Sequence, residues 1–112
     1  MKRKRRAALS VGAVVFATVA LAGCGIEGRI GNYDSVTVWP SADPRGRAPV
    51  GKLTTLTTVT VECHEAADVD ANGYGFGGSY QVSYDGGSGY IDDNTEIMSD
   101  DGALTPDRVA AC

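Results

Sequence analysis

Tyr80-Gln81-Val82-Ser83-Tyr84-Asp85-Gly86-Gly87-Ser88-Gly89-Tyr90-Ile91 is the stretch on which the reading of the fold turns. Its first five residues alternate Tyr, Val and Tyr with Gln and Ser, the two-residue period of a strand buried on one face. Asp85-Gly86 then supplies a hairpin turn. Gly87-Ser88-Gly89 lets the chain turn back, and Tyr90-Ile91 starts the return strand. A lone hairpin is marginal in water, so partner strands are sought on either side.

Upstream, residues 56–63, LTTVTVEC, are rich in β-branched residues and form the clearest strand. Alternation puts Leu56, Thr58, Thr60 and Glu62 on one face. Thr57, Val59, Val61 and Cys63 take the other, which is expected to be the core face. Val50-Gly51-Lys52-Leu53 reads as a short apolar element. Residues 40–49, PSADPRGRAP, form a Pro-bounded loop, and Ser35-Val36-Thr37-Val38-Trp39 is a short strand that Pro40 ends. Residues 64–78 read as a loop. Downstream, Asp92-Asp93-Asn94-Thr95-Glu96 is expected to make one helical turn with acids at its N-terminus. The tail from 99 to 112 reads as irregular. No 3.6-residue period persists after residue 23, so no substantial helix is expected. Short strands with Gly-rich turns predict an all-β fold, a small barrel or sandwich.

The first 23 residues are different in kind. Lys2, Arg3, Lys4, Arg5 and Arg6 lead into an uncharged run of 17 residues, 7–23, with no acid among them. A basic start, an apolar centre and a small-residue end make an export signal. As a helix the run would span about 26 Å, the short end for a membrane anchor. Leu21-Ala22-Gly23-Cys24 resembles a bacterial lipobox, and this implies lipid on Cys24, which becomes the mature N-terminus. Two or more acyl chains anchor a protein stably where one does not. A plain secretory signal and an uncleaved anchor are the alternatives. The expected organisation is a signal peptide at 1–23, a lipidated polar tether at 24–34 and a folded domain at 35–112. The rest of the chain carries five Arg or Lys against all 14 acids, a balance of −9.

Export also sets the redox compartment. With Cys24 carrying lipid, two cysteines remain, Cys63 and Cys112, and thiols outside the cytoplasm usually pair. Cys63 stands beside His64, which suggests a nucleophile and its base. Adjacent strand residues point to opposite faces, so His64 is expected to be an exposed residue at a strand end rather than a catalytic base.

The order of elements over residues 36–97 resembles the bacterial SH3-like domain, a small barrel of five to six strands. Val36-Thr37-Val38 is similar to its first strand, Pro40 to Pro49 to its first long loop, and Val50-Gly51-Lys52-Leu53 to its V-G-x-L element. Val59-Thr60-Val61-Glu62-Cys63 is similar to its central strand. The stretch at 80–91 resembles its Y-x-V, Gly turn and G-Y-V pattern. A central-strand Cys paired to a C-terminal Cys resembles actinobacterial members. Two positions depart from the pattern: Trp39 stands where the family usually has Arg, and Ser79 stands where it has a Trp that helps line the ligand groove.

The resemblance implies an SH3-like β-barrel behind a cleaved signal peptide, and a module that recognises peptides. Trp39, Tyr80 and Tyr90 are the candidates for an aromatic groove. Tyr80 and Tyr90 could equally pack the barrel seam. Asp68-Val69-Asp70-Ala71-Asn72-Gly73 has the D-x-D-x-N-G start of a calcium loop, but its twelfth position is Ser79 rather than an acid. Asp68, Asp70 and Asn72 are thus the only metal candidates, for weak calcium at most, and no other cofactor is expected; a structural or weakly calcium-binding envelope lipoprotein, with loop 68–79 as its site, is the alternative to a peptide-binding module. The acidic balance disfavours nucleic acid. No G-x-S-x-G elbow, phosphate loop or Cys/His cluster occurs, so no enzyme is expected. The expected partners are the membrane, through the N-terminal lipid, and a cell-wall peptide or an envelope protein. The expected place is the outer face of a bacterial cell membrane.

Overall fold

The computed structural model describes residues 25–31 and 35–112. The expected signal peptide at 1–23 and the expected lipidation site, Cys24, lie outside the described residues. Ten strands follow in chain order: β1 (Ile26–Ile30), β2 (Val36–Val38), β3 (Gly51–Leu53), β4 (Thr58–Glu65) and β5 (Asp68–Val69). After them come β6 (Gly75–Phe76), β7 (Ser79–Tyr84), β8 (Gly87–Asp92), β9 (Ile97–Ser99) and β10 (Gly102–Ala103). A single 3-10 turn, Pro106–Arg108, is the only helical element among the described residues.

Six strands make the main sheet in the order β10-β9-β1-β4-β7-β8, all antiparallel. The β7–β8 hairpin follows the predicted alternation, and its return strand begins at Gly87, three residues before Tyr90. Only Gly86 of the turn has positive φ, +112°, a backbone that glycine adopts without a steric cost. β2 and β3 form a second hairpin, and β5 and β6 a third. The fold is therefore all-β, as expected. The sheets do not close into a barrel. Closure needs a staggered hydrogen-bond ladder that runs from the last strand back to the first, whereas the main sheet ends at the two-residue β10 and at β8, which meets the second hairpin through one isolated bridge, Trp39–Tyr90.

The core lies on one face of the main sheet, under the β2–β3 hairpin. Val59 and Val61 of β4, Tyr80 and Val82 of β7, Ile91 of β8 and Ile97 of β9 are each at most 1% exposed. Val36, Val38 and Leu53 cover them from the small hairpin, and Ile30 fills in from β1.

Three expectations are corrected. First, residues 26–30 are not a tether. β1 is an interior strand, paired with β4 on one side and β9 on the other. Its Gly-rich sequence hid a short alternation in which Gly28 and Ile30 face the core and Glu27 and Arg29 face out. Second, Cys63 does not share the core face with Val59 and Val61. Val61 opposes Val82, but Cys63 opposes Gln81, so Glu62 is an extra residue in the strand. Such a β-bulge reverses the alternation beyond it. Third, residues 92–96 make a hydrogen-bonded turn and not a helical one. Thr95 N–H donates to the Asp92 carbonyl at 3.0 Å, and Asn94 N–H to the Asp92 carboxylate at 2.7 Å.

The tail is more ordered than expected. After β10 it buries Leu104, passes through the 3-10 turn and ends beside β4. His64 N–H donates to the Ala110 carbonyl at 2.8 Å, and Cys112 N–H donates to the His64 carbonyl at 3.0 Å. The Cys63–Cys112 disulfide closes this attachment with a Cα–Cα distance of 5.0 Å.

Candidate functional site

Pro40 lacks a backbone N–H, so β2 cannot continue beyond Trp39. Trp39 instead makes a single two-way bridge to β8. Its N–H donates to the Tyr90 carbonyl, and the Tyr90 N–H donates back, each at 2.8 Å. Gly89 permits that approach. A Cβ there would lie 2.5 Å from Val38 Cγ1 and 2.6 Å from the Trp39 carbonyl oxygen. Two of the three aromatic candidates are thus brought together at the seam between the small hairpin and the main sheet, both half-buried.

Tyr80 is not with them. It is 0% exposed and belongs to the core, one register step from Tyr90 and on the opposite face. Its hydroxyl has no hydrogen-bond partner. Burial pushes the phenol above its ordinary pKa, and the negative charges of Asp93 and Asp107 act in the same direction. The groove reading of Tyr80 is therefore corrected to a packing role.

Beside the Trp39–Tyr90 bridge lies a cleft of about 70 Å³, lined by Trp39, Pro44, Gly78, Ser79, Tyr90 and Asp92 among others. Ser79 is 6% exposed, and its hydroxyl has no partner. A buried hydroxyl without a hydrogen bond is unfavourable by roughly 1–3 kcal/mol. At a cleft wall it is a group that an arriving polar atom can satisfy. The sequence singled out Ser79 only as the place of an absent Trp. In the fold, the small side chain lines the cleft, and its orphan hydroxyl is buried in the cleft wall.

The loop 40–49 forms one wall. Arg45 binds the Asp43 carboxylate through Nε at 2.8 Å and Nη2 at 2.7 Å, and its N–H donates to the same carboxylate at 3.0 Å. These hydrogen bonds hold the Asp43 pKa down to about 2. The Arg45 guanidinium also lies 5.5 Å over the Phe76 ring, joining the loop to the β5–β6 hairpin.

Behind the cleft, His64 Nε2 lies 3.0 Å from the Asp93 carboxylate, and its ring stands edge-on to Tyr80 at 5.5 Å. The His64 side chain is 16% exposed, so it is not the exposed strand-end residue that the sequence suggested. The bulge turns it inward over Tyr80 while Cys63 turns out. With its sulfur in a disulfide, Cys63 is no nucleophile.

The D-x-D-x-N-G segment forms a β-hairpin. Asp68 pairs with Phe76 and Val69 with Gly75. The Asp70 carboxylate accepts hydrogen bonds from the Asn72 N–H at 2.9 Å and the Tyr74 N–H at 3.0 Å, and Asp70 N–H donates to the Tyr74 carbonyl. The carboxylate caps a turn, and the positive charge of Arg45 lies close enough to feel both Asp68 and Asp70. Among the described residues, no three His, Cys, Asp or Glu side chains converge as a metal cluster.

A wider groove of about 370 Å³ crosses the outer face of the sheet, past Glu27, Arg29, Leu56, Thr58 and Met98. Leu56 is 69% exposed and has φ +71°, a strained backbone for a branched residue. The sequence placed Leu56 in a strand, and only its displacement into the turn before β4 makes this surface. The groove holds neither of the buried orphan hydroxyls. Against known proteins, the chain matches no family model, no curated protein and no solved structure.

Proposed function

We propose that the chain is a lipid-anchored, non-enzymatic binding module of the bacterial cell envelope. It recognises an extended peptide, from the cell wall or from an envelope protein, in the Trp39–Tyr90 cleft. One observation carries the reading: two half-buried aromatics flank a cleft whose wall holds the unpaired Ser79 hydroxyl. Aromatic surface with a few placed polar groups is what small peptide-binding domains use. The succession of β2, the Pro-bounded loop, β4 and the β7–β8 hairpin supports an SH3-like origin in an unclosed form. Anchoring is supported by the basic leader, the Leu21-Ala22-Gly23-Cys24 sequence and the cysteine arithmetic. Cys63 and Cys112 hold each other, so Cys24 is the odd sulfur of the three.

The test is an amide NMR titration of the chain from Gly25 onward, disulfide intact, with soluble muropeptides and with Lys-containing extended peptides. Shifts clustered at Trp39, Ser79 and Tyr90 are expected. A folded spectrum that moves for neither probe removes the reading.

A further inference from the structure

The position of β1 changes what an anchor on Cys24 would do. The sheet begins at Ile26, and β1 is fixed on both sides by β4 and β9. Gly25 is exposed but runs close beside β4: a Cβ on it would meet the Thr60 side chain and come within 3.5 Å of the Glu62 carboxylate. Between the lipid-bearing residue and the rigid sheet there is then one residue, with successive Cα atoms about 3.8 Å apart.

The register says which end of the sheet this is. β1 and β4 are antiparallel, with Ile26 opposite Val61 and Arg29 opposite Thr58. Stepping back from Ile26 therefore runs toward Glu62 and Glu65. Glu65 opposes Ser79, and Ser79 opposes Asp92. The cleft stands at the anchored end of the sheet, two strands across from β1. The Tyr84–Gly87 turn and Leu56 stand at the other end.

The charge around the cleft narrows its occupant. Asp92 lines it, and Glu65 and Asp93 stand beside its Gly78–Ser79 wall, whereas Asp43 is held in an ion pair by Arg45. An acidic surface is repelled by anionic lipid headgroups and attracts cationic peptide. The orphan Ser79 hydroxyl adds a hydrogen bond for a peptide backbone group.

We infer that the Trp39–Tyr90 cleft is held at the bilayer surface and docks a basic juxtamembrane segment of a membrane protein. This rests on the anchored reading above and narrows its ligand from envelope peptides in general to one presented at the membrane plane.

Trp39 is the chain's only Trp, so its emission reports the cleft without a label. The full chain, processed in a bacterial host, is reconstituted into phosphatidylcholine vesicles containing a dansyl-headgroup lipid. Intact mass first establishes lipid on Cys24. Energy transfer from Trp39 to the headgroups is expected, and a 30-residue Gly/Ser insert between Cys24 and Gly25 is expected to lower it several-fold. Transfer that is absent, or that the insert leaves unchanged, overturns the membrane-facing cleft while the anchor stands. An unmodified Cys24 overturns the anchor itself, and the inference with it.

The second probe is a single-span peptide with a Lys/Arg-rich outer flank in the same vesicles. It is expected to shift Trp39 emission, to bind about 3–10-fold more weakly to S79A, and to lose affinity with added salt. An equal response to a Glu-rich flank, or to peptide-free anionic vesicles, overturns the basic protein partner.

Discussion

Residues Thr58–Val61 of β4 lie between β1 and β7, with Val59 and Val61 at 1% and 0% exposure. Residues Cys63–Glu65 of the same strand lie between β7 and the C-terminal tail, and their neighbours are Gln81, Tyr80 and Ser79. The first half is secured by apolar burial and two full ladders. The second is secured by a disulfide, two backbone hydrogen bonds to the tail and the His64–Asp93 pair. Glu62, the bulged residue, separates them. Polar groups are tolerated in the second half because a covalent bond and hydrogen bonds replace apolar area there. That is where orphan hydroxyls and the cleft are found.

Removing the tie should have the largest effect. The disulfide spans 49 residues of sequence, and the chain-entropy model assigns such a loop about 4 kcal/mol. Replacing Cys63 and Cys112 together with Ser should lower the denaturation free energy by about that amount. Hydrogen exchange should show the greatest loss of protection at the His64 and Cys112 amides. If protection falls equally at Val59 and Val61, the two halves are one unit and the comparison fails.

Val61→Ala probes the other half. It removes two buried carbon atoms and leaves a cavity, so it should cost about 2–3 kcal/mol, read from urea unfolding. Here the loss of protection should be global, because Val61 packs at the centre of the core.

Tyr80→Phe should act in the opposite direction. It deletes a buried hydroxyl that has no partner and keeps the ring. The expected result is a gain of about 1 kcal/mol with the fold unchanged. A loss of similar size would mean that the hydroxyl is hydrogen-bonded in solution.

The smallest effect is a pH dependence at the cleft wall. Asp43 has a folded pKa of about 2 against an ordinary 3.8, held down by Arg45. A lowered carboxylate contributes above its unfolded value and loses that contribution as pH falls through the folded one. The Arg45 clamp should therefore persist at pH 4 and release near pH 2, as followed by the Asp43 and Arg45 side-chain NMR signals. The pair is solvent-exposed, so the core should not respond.

The β7–β8 hairpin and the first half of β4 were legible because each alternates with β-branched or aromatic residues on one face and has clear turn chemistry. β1 was not. Ile26-Glu27-Gly28-Arg29-Ile30 contains a Gly at a core position, and a Gly-rich polar segment reads as a linker until a second strand is seen to pack against it. Leu56 was misplaced because propensity favoured starting the strand at residue 56, where hydrogen bonding instead closes a turn from Thr57 N–H to the Thr54 carbonyl. The three aromatic candidates divide between the two faces of the sheet. Trp39 and Tyr90 meet across one β-bridge, whereas strand parity sends Tyr80 to the other face. The bulge at Glu62 left no mark in the sequence, since an extra residue becomes visible only once β4 and β7 are set in register.

The sequence by itself determined the all-β class, the main hairpin, the acidic balance of residues 24–112 and the pairing of Cys63 with Cys112. These follow from local periodicity, turn residues, composition and parity of count, all of which are one-dimensional. The tertiary structure alone decided that β1 is an interior strand, that the sheets stay open, that His64 is covered and that Ser79 is an orphan donor at a cleft. Each of these depends on which strands become neighbours and in what register, and long-range pairing is not written in any single segment.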